Sequence, residues 1–333
     1  MWGCELNMSQ RNKVFPNFDR PISKLGYGAM GLGGAFGHYA EKDYVNSVLN
    51  CLDQGINFID TARLYGDSER IIGLALKQWK DAPPFIATKA RPSGQGGWGS
   101  AISSFEDYPP GSIRDSLIES LRKLQLESID LLQLHRYWGH WEHRDHWMEE
   151  LVRLKEEGLI RHIGISLPDH RHELALELVR SECIDSVQTI LNIFDPLSLD
   201  CLASLCQKHN VALIARCVLD EGGLTGFLRE DTLFEKDDFR STFFNHVPRN
   251  YYINKVNQLR KFIPSEAQSL AQLAIKFAIK HPAVTTAIIS MHIIAYANEN
   301  IETLNQPPLS DPAFQDIFQH HRWIRNFYES LYW

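Results

Sequence analysis

The stretch 57–73 reads NFIDTARLYGDSERIIG, and the spacing of its apolar side chains changes along its length. Its first residues, 57–61, form a short run of strand character. Beyond them Ile71, Ile72, Ala75, Leu76 and Trp79 recur at steps that place them on one face of a helix. The stretch is thus a strand feeding a helix, with a polar turn between them.

The same switch repeats along the chain. Further strand-like runs fall at 24–29, 85–89, 129–134, 162–166, 186–191, 211–216 and 284–289, eight in all with 57–61. Helical spacing follows in Val45, Val48, Leu49 and Leu52, in Ile113, Leu117, Leu121 and Leu124, in Trp147, Leu151 and Leu154, and in Leu270, Leu273, Ala274 and Phe277. Asp43, Ser68, Ser112 and Ser265 stand where N-caps are expected, and Gly55 and Gly158 where helices should end. Alternating strands and helices imply a parallel sheet. Eight such units favour a closed (β/α)8 TIM barrel of the α/β class over an open doubly wound sheet. The whole chain, 1–333, reads as one barrel domain, with 1–22 covering the barrel floor and 305–333 forming a C-terminal tail.

Composition narrows the function. With 44% hydrophobic and 23% charged residues the chain is globular. A formal charge of −7 leaves no general basic face to displace counterions, which argues against nucleic acid and anionic membrane partners. No apolar run reaches the ~18 residues of a membrane span, and MWGCELNMSQRNK lacks a signal-peptide core, so a cytoplasmic protein is expected. The six cysteines are scattered without a CxxC pair and read as reduced thiols. His140, His143 and His146 lie near Asp145, but no cysteine completes a ligand set, and no metal is expected.

Barrel enzymes keep their chemistry where strands end. Two long connections, 90–111 and 217–264, follow such ends. Asp60, Lys89 and His135 close three successive strands in NFID, FIATK and DLLQLH, and Tyr65 lies in the turn after Asp60. Singly, these residues suit an ion pair, a rim aromatic and a core histidine. Together they form a proton-delivering centre: a phenol is too weak an acid unless a cation stabilises its anion. Lys89 supplies that charge, Asp60 keeps it oriented, and His135 donates a hydrogen bond to an oxygen gaining negative charge.

Asp60-Thr61-Ala62, Tyr65-Gly66 and Ser68-Glu69 resemble, in order and spacing, the signature of the aldo-keto reductase superfamily. KLGYGAMGLGG (24–34), FIATKA (85–90), SIRDSLIESLRKLQLESIDLLQLH (112–135), LVRLKEEGLIRHIGIS (151–166), VQTILNIFD (187–195) and GGLTG (222–226) resemble it too. The resemblance implies an NAD(P)(H)-dependent oxidoreductase that reduces an aldehyde or ketone to an alcohol, with Tyr65 as general acid. It implies NADPH extended across the barrel mouth, with NADH as the other possibility. Ser166 and Gln188 would then hold the carboxamide, and Leu219, Gly223, Leu224 and Thr225 the pyrophosphate. Ser290, His292, Glu299 and Asn300 would lie at the adenosine end.

Gly26-Tyr27-Gly28-Ala29-Met30-Gly31 matches GxGxxG, but no helix opens directly after it, so a Rossmann phosphate site is not expected. The reading is instead that backbone at Gly28 passes beneath the nicotinamide. Three departures from the family pattern stand out. Leu167 replaces a frequent Asn, and Arg216 replaces a frequent ring-stacking Tyr, so the nicotinamide is expected against a flat guanidinium. The segment 288–302 lacks a basic residue to clamp a 2′-phosphate, leaving Arg216, Lys276 or a loop arginine for that task. Trp98, Trp138 and Phe194 are candidate substrate-pocket walls, and the aromatic tail with Trp323, Phe327 and Trp333 is expected to anchor to the barrel. Two alternatives share these residues: an NAD-dependent sugar or polyol dehydrogenase working in the oxidative direction, and a cofactor-binding regulatory subunit resembling potassium-channel β-subunits. The partner in either enzyme reading is a small carbonyl or alcohol; oligomeric state is not legible.

Overall fold

Apolar side chains on both faces of each short run are what a fully covered parallel strand needs, and all eight runs form strands within two residues of their expected bounds. They are β1 (Leu25–Gly28), β2 (Phe58–Asp60), β3 (Phe85–Ala90), β4 (Ile129–Leu134), β5 (Ile160–Ser166), β6 (Ser186–Ile190), β7 (Ala212–Arg216) and β8 (Val284–Ser290). Each pairs in parallel with the next, and β8 closes on β1 from Ala287↔Leu25 to Ser290↔Gly28. The computed structural model describes residues 11–15, 17–94, 101–142, 145–245 and 247–324. Trp98, His143, Phe327 and Trp333 lie outside the described residues.

Helix starts differ from expectation in an instructive way. Ser68 and Ser112 are first helical residues, of Ser68–Gln78 and Ser112–Leu124, and not N-caps. The Ser68 hydroxyl donates to Ala29 O at 2.9 Å and pairs with Thr61 Oγ1 at 2.8 Å, tying the helix to two strand ends. At Ser112 a distant carboxylate does the capping: Glu150 accepts from Gly111 N and Arg114 N. Helix Leu270–Lys280 is capped by Ser269, whose hydroxyl accepts from Gln272 N, and Ser265 instead donates to Phe262 O. Asp43 sits inside the first turn of Glu41–Asp53, where its charge complements the helix dipole. Gly55 and Gly158 end helices with φ of 86° and 75°.

Below the barrel, Asn12–Lys13 pairs antiparallel with Ile22–Ser23. Phe15, Phe18 and Ile22 join Phe58, Phe85, Leu131, Ile214 and Ile288 in one buried cluster at the strand starts. The Phe18 ring lies 4.7 Å from Phe85 and 4.9 Å from His162. Above the barrel, 217–264 is not bare loop; it holds Gly223–Thr225, Phe239–Asn245, Arg249–Gln258 and Leu259–Phe262 as helical turns or helices. Trp323 N donates to Phe194 O at 2.9 Å, and its ring meets Phe194 at 5.6 Å and Tyr252 at 5.8 Å. Among the described residues no helix is long and apolar enough to cross a membrane. Phe18→Ala should lower unfolding stability by roughly 3–5 kcal/mol in urea titrations, because the floor cannot collapse around the lost ring.

Candidate active site

Parallel register brings the site together. Lys89 on β3 stands opposite Gln133 on β4, and Asp60 ends β2 one strand away. The Lys89 Nζ donates to Asp60 Oδ2 at 2.5 Å and to Thr61 O at 2.9 Å. Asp60 Oδ1 accepts from Gln188 Nε2 at 2.7 Å and Gln133 Nε2 at 3.2 Å. All four side chains are buried in the barrel. Gln133 was not anticipated from sequence, although in DLLQLH it alternates onto the same face as His135, which was the available signal.

Tyr65 overhangs this pair. Lys89 Nζ lies 5.0 Å from the Tyr65 ring centroid, and the buried His135 ring stands edge-on to Tyr65 at 5.5 Å. The turn carrying Tyr65 is fixed by Tyr65 N to Ala62 O and Ser68 N to Tyr65 O. Beneath it, buried Glu69 accepts from Arg63 Nη1 at 2.9 Å and Thr88 Oγ1 at 2.8 Å. Arg136, next to His135, forms a buried two-point pair with Asp107, which fastens the β3 connection to β4.

Desolvation dominates the electrostatics. It raises the Tyr65 phenol well above the ordinary value, with Asp60 adding to it and Arg216 opposing, so the hydroxyl stays protonated at neutral pH. Burial lowers Lys89, and Asp60 works against that loss. Burial, then Lys89, Arg216 and Arg136, pull His135 far below the usual histidine range, leaving a neutral ring.

The remaining candidates spread around the mouth. Ser166 at the end of β5 and Gln188 in the middle of β6 are register partners, but the Gln188 amide nitrogen is committed to Asp60. Arg216 ends β7; its Nη2 donates to Asp169 Oδ1 at 2.5 Å and Leu167 O at 3.0 Å, and its Nη1 to Cys217 Sγ at 3.2 Å. The Cys217 thiol donates to Glu221 Oε1 at 3.3 Å. Burial raises the Glu221 carboxyl to about 7, with Asp220 and Asp169 in the same sense and Cys217 and Arg216 opposing. Cys217, Asp220 and Glu221 all have positive φ, a strained backbone leading into and lying within the 219–225 turn. Gly223 has a protein reason: a Cβ there would sit 1.9 Å from the Tyr252 hydroxyl, which donates to Asp220.

Gly28 likewise is accounted for within the fold, since a Cβ would press on the Ile289 backbone at 3.1 Å; the Gly-rich segment is packed against β8 rather than held open. Ser290 Oγ and His292 Nδ1 bond at 2.8 Å, and burial followed by Arg240 lowers His292 to about 4. Glu299 is exposed and Asn300 buried on helix Ile294–Glu302. Lys276 Nζ donates to Glu266 O at 2.7 Å. Arg240 was missed by residue number: it is held by Asp238 through both oxygens and lies 5.9 Å from the Phe36 ring, which also stacks on His292 at 6.0 Å. Trp138 and Phe194 are buried, Phe194 under Trp323 and Tyr252, and the Trp138 Nε1 has no hydrogen-bond partner among the described residues. His146 bonds Asp145 and Tyr108 O, and among the described residues no metal-holding cluster of His, Cys, Asp or Glu occurs. A cleft of about 730 Å³ opens beside Arg63, Arg91, Ser116 and Arg136, with Arg63 and Arg136 already committed to Glu69 and Asp107.

The family model described as "Aldo/keto reductase family" matches residues 24–322. The oxidoreductase YqkF of Bacillus subtilis is 29% identical over 94% of this chain and 99% of its own length. The glycerol dehydrogenase AKR11B4 of Gluconobacter oxydans superposes with a TM-score of 0.77 at 27% identity, covering 96% of this chain and 98% of its own. The holo aldo-keto reductase AKR11C1 of Bacillus halodurans follows at 0.74 and 26%, covering 95% and 98%. With eight parallel strands closed into a barrel and a match running through nearly all of them, the chain belongs to the aldo/keto reductase family of NAD(P)H-dependent oxidoreductases.

Proposed function

We propose that this protein reduces a small aldehyde or ketone to its alcohol with Tyr65 as general acid. The observation that carries the reading is the buried Lys89–Asp60 pair directly under Tyr65, with neutral His135 edge-on to the same ring. A reduced nicotinamide cofactor supplies the hydride when bound. Tyr65 donates its proton to the substrate oxygen, and Lys89, kept oriented by Asp60, stabilises the phenolate left behind. His135 holds the carbonyl oxygen by a hydrogen bond.

The chain's fit to an extended dinucleotide rests on two orphaned buried nitrogens. Arg216 Nε and His292 Nε2, at the ends of β7 and β8, have no hydrogen-bond partner among the described residues. For the choice of cofactor we favour NADPH, with Arg240 as the loop arginine that reaches a 2′-phosphate beside His292 and Phe36. A second reading rests on Asp238. Its carboxylate already occupies the Arg240 fork and could instead accept ribose hydroxyls, which suits NAD; alcohol oxidation is what the name of the glycerol dehydrogenase states for that protein.

Tyr65→Phe should cut kcat by roughly 10²–10⁴-fold and leave cofactor Kd nearly unchanged; retained turnover would sink the acid assignment. Arg240→Gln should weaken NADPH about tenfold and NADH little, read by fluorescence quenching; wild-type binding of NADH as tight as NADPH favours the second reading. Cofactor affinity should also depend on pH. Glu221 is protonated below about 7 and charged above it. Its anion would repel the pyrophosphate, so affinity should fall as pH rises through that value, and Glu221→Gln should flatten the profile.

A further inference from the structure

We infer that Trp138 selects the substrate: its indole N–H donates to a hydroxyl or oxo oxygen on the carbon beside the reacting carbonyl, so the site takes 2-hydroxy and 2-oxo aldehydes in preference to plain alkanals. The inference rests on the reduction proposed above and names its substrate class.

A contrast among the indoles carries it. Trp79 Nε1 donates to Ala82 O at 3.0 Å, Trp141 Nε1 to Ile102 O at 2.8 Å and Trp147 Nε1 to Glu142 O at 3.1 Å. Trp138 is only 2% exposed, yet its Nε1 has no hydrogen-bond partner among the described residues. A buried N–H without an acceptor loses the hydration it has given up, and buried tryptophans ordinarily find a partner. A substrate oxygen supplies the acceptor that this donor lacks.

The place of Trp138 in the chain suits that task. It lies three residues beyond His135, so the two Cα atoms are at most about 11 Å apart. His135 in turn stands edge-on to Tyr65 at 5.5 Å. The segment between them is held on its other sides. Arg136 pairs with Asp107 of the β3 connection, and the Tyr137 ring packs on Trp141 at 5.6 Å and Trp147 at 5.7 Å. A Cβ on Gly139 would sit 2.8 Å from Leu174 O, so the backbone leans directly on the β5 connection. These contacts leave the barrel mouth to Trp138.

Two donors that follow β4 thus divide a substrate between them. His135 holds the carbonyl oxygen in the mechanism above, and Trp138 meets the oxygen on the next carbon. An indole N–H donates and accepts nothing, and it is neutral, so it matches a neutral oxygen and offers no charge to offset a carboxylate. A plain alkanal leaves the N–H unpaired, and that penalty discriminates against it.

Steady-state reduction of propanal, 2-hydroxypropanal and 2-oxopropanal, which differ only at the second carbon, tests this. In wild type kcat/KM should be roughly tenfold higher for each oxygenated aldehyde than for propanal. Trp138→Phe keeps an aromatic ring without the donor, and should bring 2-hydroxypropanal within about twofold of propanal and lower the 2-oxopropanal advantage about tenfold. The loss should fall on KM, because the contact is made in ground and transition states alike. Absence of a 2-hydroxypropanal advantage in wild type overturns the inference. So does an advantage that persists in Trp138→Phe, or a fall in kcat common to all three aldehydes together with a lowered Tm, which assigns the indole to the fold. Should Trp138→Phe fail to fold, Trp138→His and Trp138→Leu decide: histidine retains an N–H and should keep a larger advantage than leucine, and equal ratios overturn the inference. Failure of wild type to reduce any of the three would instead remove the reduction reading itself.

Discussion

An ammonium and a carboxylate taken out of water lose hydration that their mutual attraction alone rarely restores, and the remaining lone pairs and protons must find partners. At Lys89 and Asp60 those partners come from around the barrel. Thr61 O takes a second Lys89 proton, and Gln133 and Gln188 donate to the far oxygen of Asp60. Four strands, β2, β3, β4 and β6, therefore contribute to one polar layer. The layer needs a closed barrel, because only closure faces β6 toward β2 across the interior. Removing Lys89 or Asp60 would leave a buried charge unpaired, so the proposed reaction centre and the integrity of the upper barrel are bound to the same interaction.

Above that layer the rim is stiffened by contacts made between distant segments. Asp107 pairs with Arg136, Tyr252 donates to Asp220, and Trp323 covers Phe194. These contacts have a functional sense. Under the proposed mechanism the Tyr65 hydroxyl and the Lys89 cation must be held in position before substrate arrives, since preorganised charge avoids reorganisation in the transition state. The positive φ values at Cys217, Asp220 and Glu221 persist because Tyr252 and the Arg216–Cys217–Glu221 chain of hydrogen bonds pin that turn from both sides.

Much was legible before the fold was seen, and for physical reasons. Buried parallel strands demand nearly continuous apolar runs, and a polar residue ending such a run, as at Asp60, Lys89 and His135, is conspicuous. Capping was less legible at Ser265 and Ser269, where two serines offered equal local chemistry and the chain path chose the second. Gly28 and Gly223 were read toward a ligand, and Ile289 and Tyr252 impose the same requirement, because close approach by the protein's own chain excludes a Cβ as a cofactor would.

By itself the amino-acid sequence determined the alternation of strands and helices, the number of units and the identity of the Tyr65, Lys89, Asp60 and His135 set, because each is written in local spacing. Tertiary structure alone decided what surrounds them. Gln133 and Gln188 are 55 residues apart and meet only across the barrel, and Arg240 approaches His292 only because the β7 insertion folds back over β8. Trp138 and Phe194 are both buried, which no local pattern announces. Such contacts join residues with no fixed separation along the chain, so no local pattern carries them.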